Sequence, residues 1–249
     1  MPARKLPPGD RPLKTLERVI SKAGLGSRRE ARSWIAGGRA AVNGERVLDP
    51  DRWIDLERDR VELDGRPVEP KERRYLLLHK PAGTMTTYRD PEGRPTVYAL
   101  LPESDGFLMY AGRLDRDTSG LLVMTNDASL VERLTNPRHA VPKRYRVTTS
   151  RALTDEEIER LRGVVELSDG PTRPARAERV ASDERIIELT ITEGRNRQVR
   201  RMIEAVGAEV VALERTAIGR IEIAGLAPGA VRELTTKEVE SLQSGHVGT

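Results

Sequence analysis

A single carboxylate, Asp115, stands in the stretch Gly112-Arg113-Leu114-Asp115-Arg116-Asp117-Thr118-Ser119-Gly120, which runs straight into the apolar Leu121-Leu122-Val123-Met124. A glycine-bounded loop that empties into a buried strand offers its side chains from a fixed edge, which suits a nucleophile or a general base. Asp117 is the rival carboxylate, with a surface or loop-capping role as its plainer use. Further along, Lys143-Arg144-Tyr145-Arg146-Val147 alternates like a strand, with Tyr145 and Val147 on one face. Glu193-Gly194-Arg195-Asn196-Arg197-Gln198-Val199-Arg200-Arg201-Met202-Ile203 then opens a helix striped by Val199, Ile203 and Val206. Arginines crowded into first turns repel one another and oppose the helix dipole, so Arg195, Arg197, Arg200 and Arg201 invite an anion.

Much other chemistry is excluded. The chain has no Cys and 3 His, so disulfides, thiolate metal sites and cysteine nucleophiles are absent. It contains no P-loop and no dinucleotide fingerprint, and neither a metal nor a nucleotide cofactor is expected. There is no run of apolar residues long enough to cross a membrane, and the first fifteen residues lack an apolar core. A cytoplasmic location is the expectation.

The elements that must position these residues fall into an α+β pattern within 249 residues. Leu16, Val19, Ile20 and Ala23 recur at helical spacing, with Gly24 and Gly26 to end the helix. Ser27 and Glu30 form a capping box for a second helix through Ala31, Trp34 and Ile35. Ala41 to Val47 reads as a hairpin about Asn43-Gly44, and Val61-Glu62-Leu63 as another strand. This small module, residues 13–74, follows a tail over 1–12. Residues 75–241 form the larger domain, with strands at 75–79, 121–126, 143–149 and 186–192, and a helix capped by Thr154 and Glu157. Residues 242–249 read as a second flexible tail. The long polar loop Asp90 to Val97 is placed to reach a ligand.

Charge is uneven. Residues 1 to 47 hold eleven Lys or Arg against four Asp or Glu, while the whole chain carries only +4. Arg28, Arg29 and Arg32 share a face of the second helix, with Arg39 just beyond its end. Arginine suits phosphate contacts, so this face is read as an RNA-binding surface.

Two resemblances sharpen these readings. Leu25-Gly26-Ser27-Arg28-Arg29-Glu30-Ala31 with Gly38-Arg39-Ala40-Ala41-Val42-Asn43-Gly44 resembles the RNA-binding domain first known from the fourth small-subunit ribosomal protein. The Gly112 to Leu122 stretch, Lys143-x-Tyr145, and the Glu193 to Met202 stretch together resemble the RsuA/RluB family of ribosomal RNA pseudouridine synthases. The Asp90 to Val97 loop is most similar to the large-subunit branch. The resemblance implies a catalytic domain around a mixed, largely antiparallel sheet, acting on ribosomal RNA, that of the large subunit or its precursor. It implies detachment of a flipped uridine at N1–C1′, rotation of the base and reattachment through C5, with no cofactor. Asp115 matches the catalytic aspartate, which either attacks C1′ or removes a sugar proton. Tyr145 matches the active-site tyrosine and Arg200 the basic partner of the carboxylate, with Arg201 the alternative. Arg113 fills the vacated base position or holds a phosphate; Arg195 and Arg197 join the RNA-binding set. A monomer is expected. The competing readings are a small-subunit enzyme, a non-catalytic ribosome assembly factor, and a glycosidase pairing Asp115 with Asp117.

Overall fold

A computed structural model of the chain describes residues 13–69, 72–102 and 107–244. Its contacts divide into two units, residues 1–73 with 104–108, and residues 74–103 with 109–249. The sequence alone assigns 104–108 to the larger domain. In the structure Phe107 N–H donates to Gly24 O at 2.6 Å and Leu108 is buried, which groups these two residues with the first unit. The expected tail over 1–12 lies outside the described residues.

The first unit runs β1 (Leu13–Thr15), α1 (Leu16–Lys22), α2 (Arg28–Ala36), β2 (Ala40–Val42), β3 (Glu45–Val47), β4 (Trp53–Asp55), β5 (Val61–Leu63) and β6 (Arg66–Pro67). The Ser27–Glu30 capping box forms reciprocally and starts α2 where the sequence puts it. Asn43 and Gly44 both take positive φ, 54° and 82°, the geometry that matches hairpin twist, and β2 pairs antiparallel with β3. The apolar stripes of α1 and α2 (Leu16, Ile20, Ala31, Ile35) close over Val42, Ile54 and Val61.

The second unit is built on β7 (Tyr75–Lys80), β8 (Met109–Tyr110), β9 (Thr118–Thr125), α3 (Ala128–Thr135), β10 (Lys143–Thr149), α4 (Asp155–Arg162), β11 (Glu166–Leu167), β12 (Gly170–Pro171), β13 (Arg176–Arg179), β14 (Ile186–Ile191), α5 (Gln198–Ala205), β15 (Val210–Ile218), β16 (Ile221–Glu222), β17 (Val231–Glu233) and α6 (Thr236–Ser244). The main sheet has the order β13-β14-β10-β15-β9-β7-β17. Its strands pair antiparallel except β15 with β9, so the sheet is mixed and largely antiparallel, as expected. Two cores flank it. One gathers Val147, Leu189 and Leu213 with Ile158 and Leu161 of α4 and Val199 and Ile203 of α5. The other packs Leu121 and Val123 against Leu130 and Leu134 of α3 and Leu242 of α6.

One correction arises here. α6 extends to Ser244 with Leu242 only 3% exposed, so the chain is anchored beyond residue 241, where a tail is expected, because an apolar residue there completes the second core. The loop from Asp90 closes on itself: the Asp90 carboxylate accepts from Arg94 N, Nε and Nη2 and from Glu92 N, and none of the loop's residues lines the cleft described below. Arg94 holds that carboxyl down to about 2.

Candidate active site

The loop carrying Asp115 is held by its backbone. Thr86 Oγ1 donates to Leu114 O at 2.8 Å. Thr118 N–H closes back on Asp115 O at 3.1 Å. Gly83 N–H donates to Arg116 O at 2.8 Å. Lys80 Nζ donates to Arg116 O at 3.2 Å and Thr118 O at 2.7 Å. Arg200 Nη2 donates to Asp117 O at 3.2 Å. Every carbonyl from 114 to 118 is therefore bonded. The Asp115 side chain is left outward, with 35% of its surface exposed. Lys80 is fully buried, and burial pushes its ammonium down to about 8 against the pull of Asp115 and Asp117. Each such bond from a charged donor contributes about 1.5–3 kcal/mol, so the loop is stiff where a positioned carboxylate needs it.

Asp115 opens on a cleft of about 350 Å³, within the range of small-molecule sites. β10 lends Lys143 and Tyr145 to its lining, β15 lends Leu213 and Arg215, and the turn before α5 lends Arg195 and Arg197. Period-2 alternation explains the set: Lys143 and Tyr145 share a face of β10, and Tyr145 lies directly opposite Arg215 in the antiparallel register. Arg113 and Thr118 line the same cleft. Burial also pushes Lys143 down to about 8, with Arg215 adding to the effect.

The arginines before and in α5 differ from expectation. Among the described residues, the cation within 4 Å of the Asp115 carboxylate is Arg197, with Nη1 at 3.9 Å from Oδ2. Arg197 caps α5 in the left-handed region, φ 49°, which swings it out of the helix toward the cleft. Arg200 is buried against the Asp117 and Val210 carbonyls and does not line the cleft; it braces the loop instead of facing Asp115, because inside α5 its side chain runs beneath the loop. Arg201 pairs in bidentate fashion with Asp169. Arg195 reaches the Gly170 and Pro171 carbonyls as well as lining the cleft. Asp117 is exposed and pairs with Arg116 at 3.1 Å, away from the cleft.

In the first unit the expected RNA-binding arginines are mostly matched by acids. Arg28 binds Glu17 at 2.5 Å, and Arg32 lies 3.5 Å from the same carboxylate and 3.2 Å from Asp51. Arg39 pairs with Asp64 and lies over Trp34. Arg29 is exposed and has no ion pair among the described residues. Sequence reasoning missed Lys80 and the whole of β15 with Arg215, and it gave Thr118 no role beyond its place in the Gly112 to Leu122 motif. The alternation of Ala212, Glu214 and Thr216 with Leu213, Arg215 and Ala217 is the signal that could have found that strand.

Comparison with known proteins places these features in a family. Residues 74–205 match the family described as RNA pseudouridylate synthase, and residues 15–54 match the S4 domain. The chain is 38% identical over 236 residues to ribosomal large subunit pseudouridine synthase B of Bacillus subtilis, covering 93% of this chain and 96% of that protein. It is 37% identical over 230 residues to an uncharacterized RNA pseudouridine synthase of Aquifex aeolicus, covering 91% and 92%. A crystal structure of a pseudouridylate synthase superposes with a TM-score of 0.67 at 32% identity, covering 92% of this chain and 99% of that one. Two domains in the expected order, a mixed sheet and this breadth of similarity lead to one conclusion: the chain belongs to the RNA pseudouridylate synthase family of isomerases, with an S4 domain at its N-terminal end.

Proposed function

We propose that the protein isomerises a uridine of large-subunit (23S) ribosomal RNA to pseudouridine in the cytoplasm, with Asp115 as the catalytic carboxylate. The observation that carries this reading is the braced loop: five consecutive bonded carbonyls leave the Asp115 carboxylate alone on the wall of a nucleotide-sized cleft. The target leaves its stack to enter. The N1–C1′ bond breaks while Asp115 either engages C1′ or takes a sugar proton. The ring turns, C5 bonds to C1′ as Asp115 leaves C1′ or hands the sugar proton back, the C5 proton passes to solvent, and N1, which kept the electron pair of the broken bond, takes up a proton. Arg197 sets its guanidinium 3.9 Å from the Asp115 carboxylate, and the Tyr145 ring stacks on the base with its hydroxyl near the migrating proton. Arg113 holds a flanking phosphate. The exchange happens within one substrate and calls for no cofactor. The large-subunit target follows the printed function of the Bacillus subtilis relative and one of Yersinia pestis, 38% identical over 237 residues.

The test uses 23S and 16S rRNA transcripts labelled with tritium at uridine C5. Release from 23S by the wild type and none by Asp115→Asn is the expected result, with RNA affinity retained by the variant. Release from 16S alone moves the target to the small subunit. Release from neither rejects the enzyme in favour of an RNA-binding assembly factor. Mapping pseudouridines by carbodiimide-blocked primer extension in a deletion strain then identifies the nucleotide.

A further inference from the structure

Two buried polar atoms at the cleft have nothing to bond. Arg215 is 2% exposed; its Nε donates to Leu121 O at 2.8 Å, but Nη2 has no hydrogen-bond partner. Thr118, also 2% exposed, has an Oγ1 with no partner. Both residues line the cleft, and both sit on the β9–β15 seam, where Thr118 pairs with Leu213 and Gly120 with Arg215. The seam is tight: a Cβ at Gly120, φ 111°, would meet the Arg215 carbonyl oxygen at 2.3 Å, so only glycine lets the strand bearing Arg215 approach. An unsatisfied buried polar group costs about 1–3 kcal/mol and is rare. Two of them at one cleft call for an occupant carrying hydrogen-bonding groups on one edge.

Resting on the reading that this cleft takes a flipped uridine, we propose that Arg215 and Thr118 form the seat of the uracil ring. Arg215 Nη2 donates to a ring carbonyl, and Thr118 Oγ1 engages the adjacent N3–H. When the N1–C1′ bond breaks, its electron pair leaves with the base and spreads onto O2 and O4. A fixed guanidinium donor meets that charge as it develops. Turning the ring about the N3–C6 axis exchanges N1 with C5 and O2 with O4 but leaves N3–H in place. One donor and one hydroxyl therefore hold the ring before and after the turn, which keeps a detached base from escaping. Cytosine carries an amino donor in place of O4, so in one of the two orientations it would set donor against donor. Lys143, beside Tyr145 on the same floor, adds positive charge to the seat.

The experiment measures single-turnover tritium release from labelled 23S rRNA by the full-length protein, with RNA affinity by filter binding and thermal melts in parallel. Thr118→Val removes a hydroxyl that bonds nothing in the free protein, so the melting temperature should hold or rise. Its rate should fall about tenfold, with RNA affinity within twofold, and Thr118→Ser should restore the rate. Arg215→Met should lose about a hundredfold, part of it regained in Arg215→Lys. A Thr118→Val protein with the wild-type rate, or one whose loss merely tracks melting temperature and RNA affinity, overturns the seat. Wild-type release would still uphold the isomerase reading in that case. No release by the wild type overturns both.

Discussion

The arginines of α2 and those around the cleft look alike in sequence and differ in what answers their charge. On the first unit Arg28, Arg32 and Arg39 each face a carboxylate, of Glu17, Asp51 or Asp64. In the second unit Arg200 faces backbone carbonyls, and Arg215 faces one carbonyl and a vacancy in its bonding. Arginines matched by acids leave a surface close to neutral. Arginines matched by carbonyls leave their charge in place. Among the described residues Arg113, Lys143, Arg197 and Arg215 line the cleft with the single acid Asp115, while Arg195 beside them also meets Asp169 and Glu193, and the excess of positive charge favours a polyanion. The density of arginine in a segment thus says less about nucleic-acid binding than the identity of its partners.

The sharpest way to break this contrast is at Lys80, whose ammonium hydrogen-bonds only to backbone carbonyls. Lys80→Met should leave the Arg116 and Thr118 carbonyls short of a donor in the interior. Stability should drop by about 2–3 kcal/mol in urea unfolding, and single-turnover rate by about a hundredfold. In the wild type, rate should fall as pH rises through about 8, where Lys80 loses its proton. A Lys80→Met protein with wild-type rate would show that the loop needs no brace.

Next comes Arg197, held at φ 49° where a side chain costs about 1 kcal/mol or more. Arg197→Gly should melt no lower than the wild type yet turn over about tenfold more slowly, with Arg197→Lys between them. Equal losses for Gly and Lys would remove the counter-charge role.

Smaller effects separate the α2 arginines. Arg28→Ala strips a partner from the buried Glu17, whose carboxyl Arg28 holds below its usual value. It should cost about 1 kcal/mol, because Arg28 is 59% exposed and Arg32 remains nearby. A carboxylate with a depressed pKa contributes stability above its unfolded value and loses it on acidification, so the gap to wild type should close as pH falls below 4.5. Arg29→Ala should leave melting unchanged and cut the salt slope of RNA binding by about one. If Arg28→Ala matches it in both respects, the ion pair with Glu17 is inert. Smallest of all, Asp117→Asn should keep its rate within about twofold, since its carboxylate faces Arg116 in solvent.

Local signals were readable in the sequence. Ser27 with Glu30, Thr154 with Glu157, and Asn43-Gly44 set helix starts and a hairpin through contacts a few residues long, and all three form. Alternation placed β10 and β14, and with them Tyr145. The missed features depend on distant chain. Lys80 reads as the end of a strand, and only the fold carries its ammonium beneath a loop 36 to 38 residues on. β15 hides because a buried arginine interrupts its apolar face. Arg197 and Arg200 look equivalent three positions apart. A left-handed residue at the helix start separates them, sending one to the carboxylate and the other under the loop.

The parallel seam between β9 and β15 also sets an order of events in synthesis. It joins residues 94 positions apart, as in the bond from Arg215 to Leu121, and such distant pairings close late because a long loop must first be ordered. A chain growing from its N-terminal end therefore finishes its S4 domain, and then carries Asp115, well before it owns a floor for the cleft. The nascent protein owns its first unit before its cleft is complete.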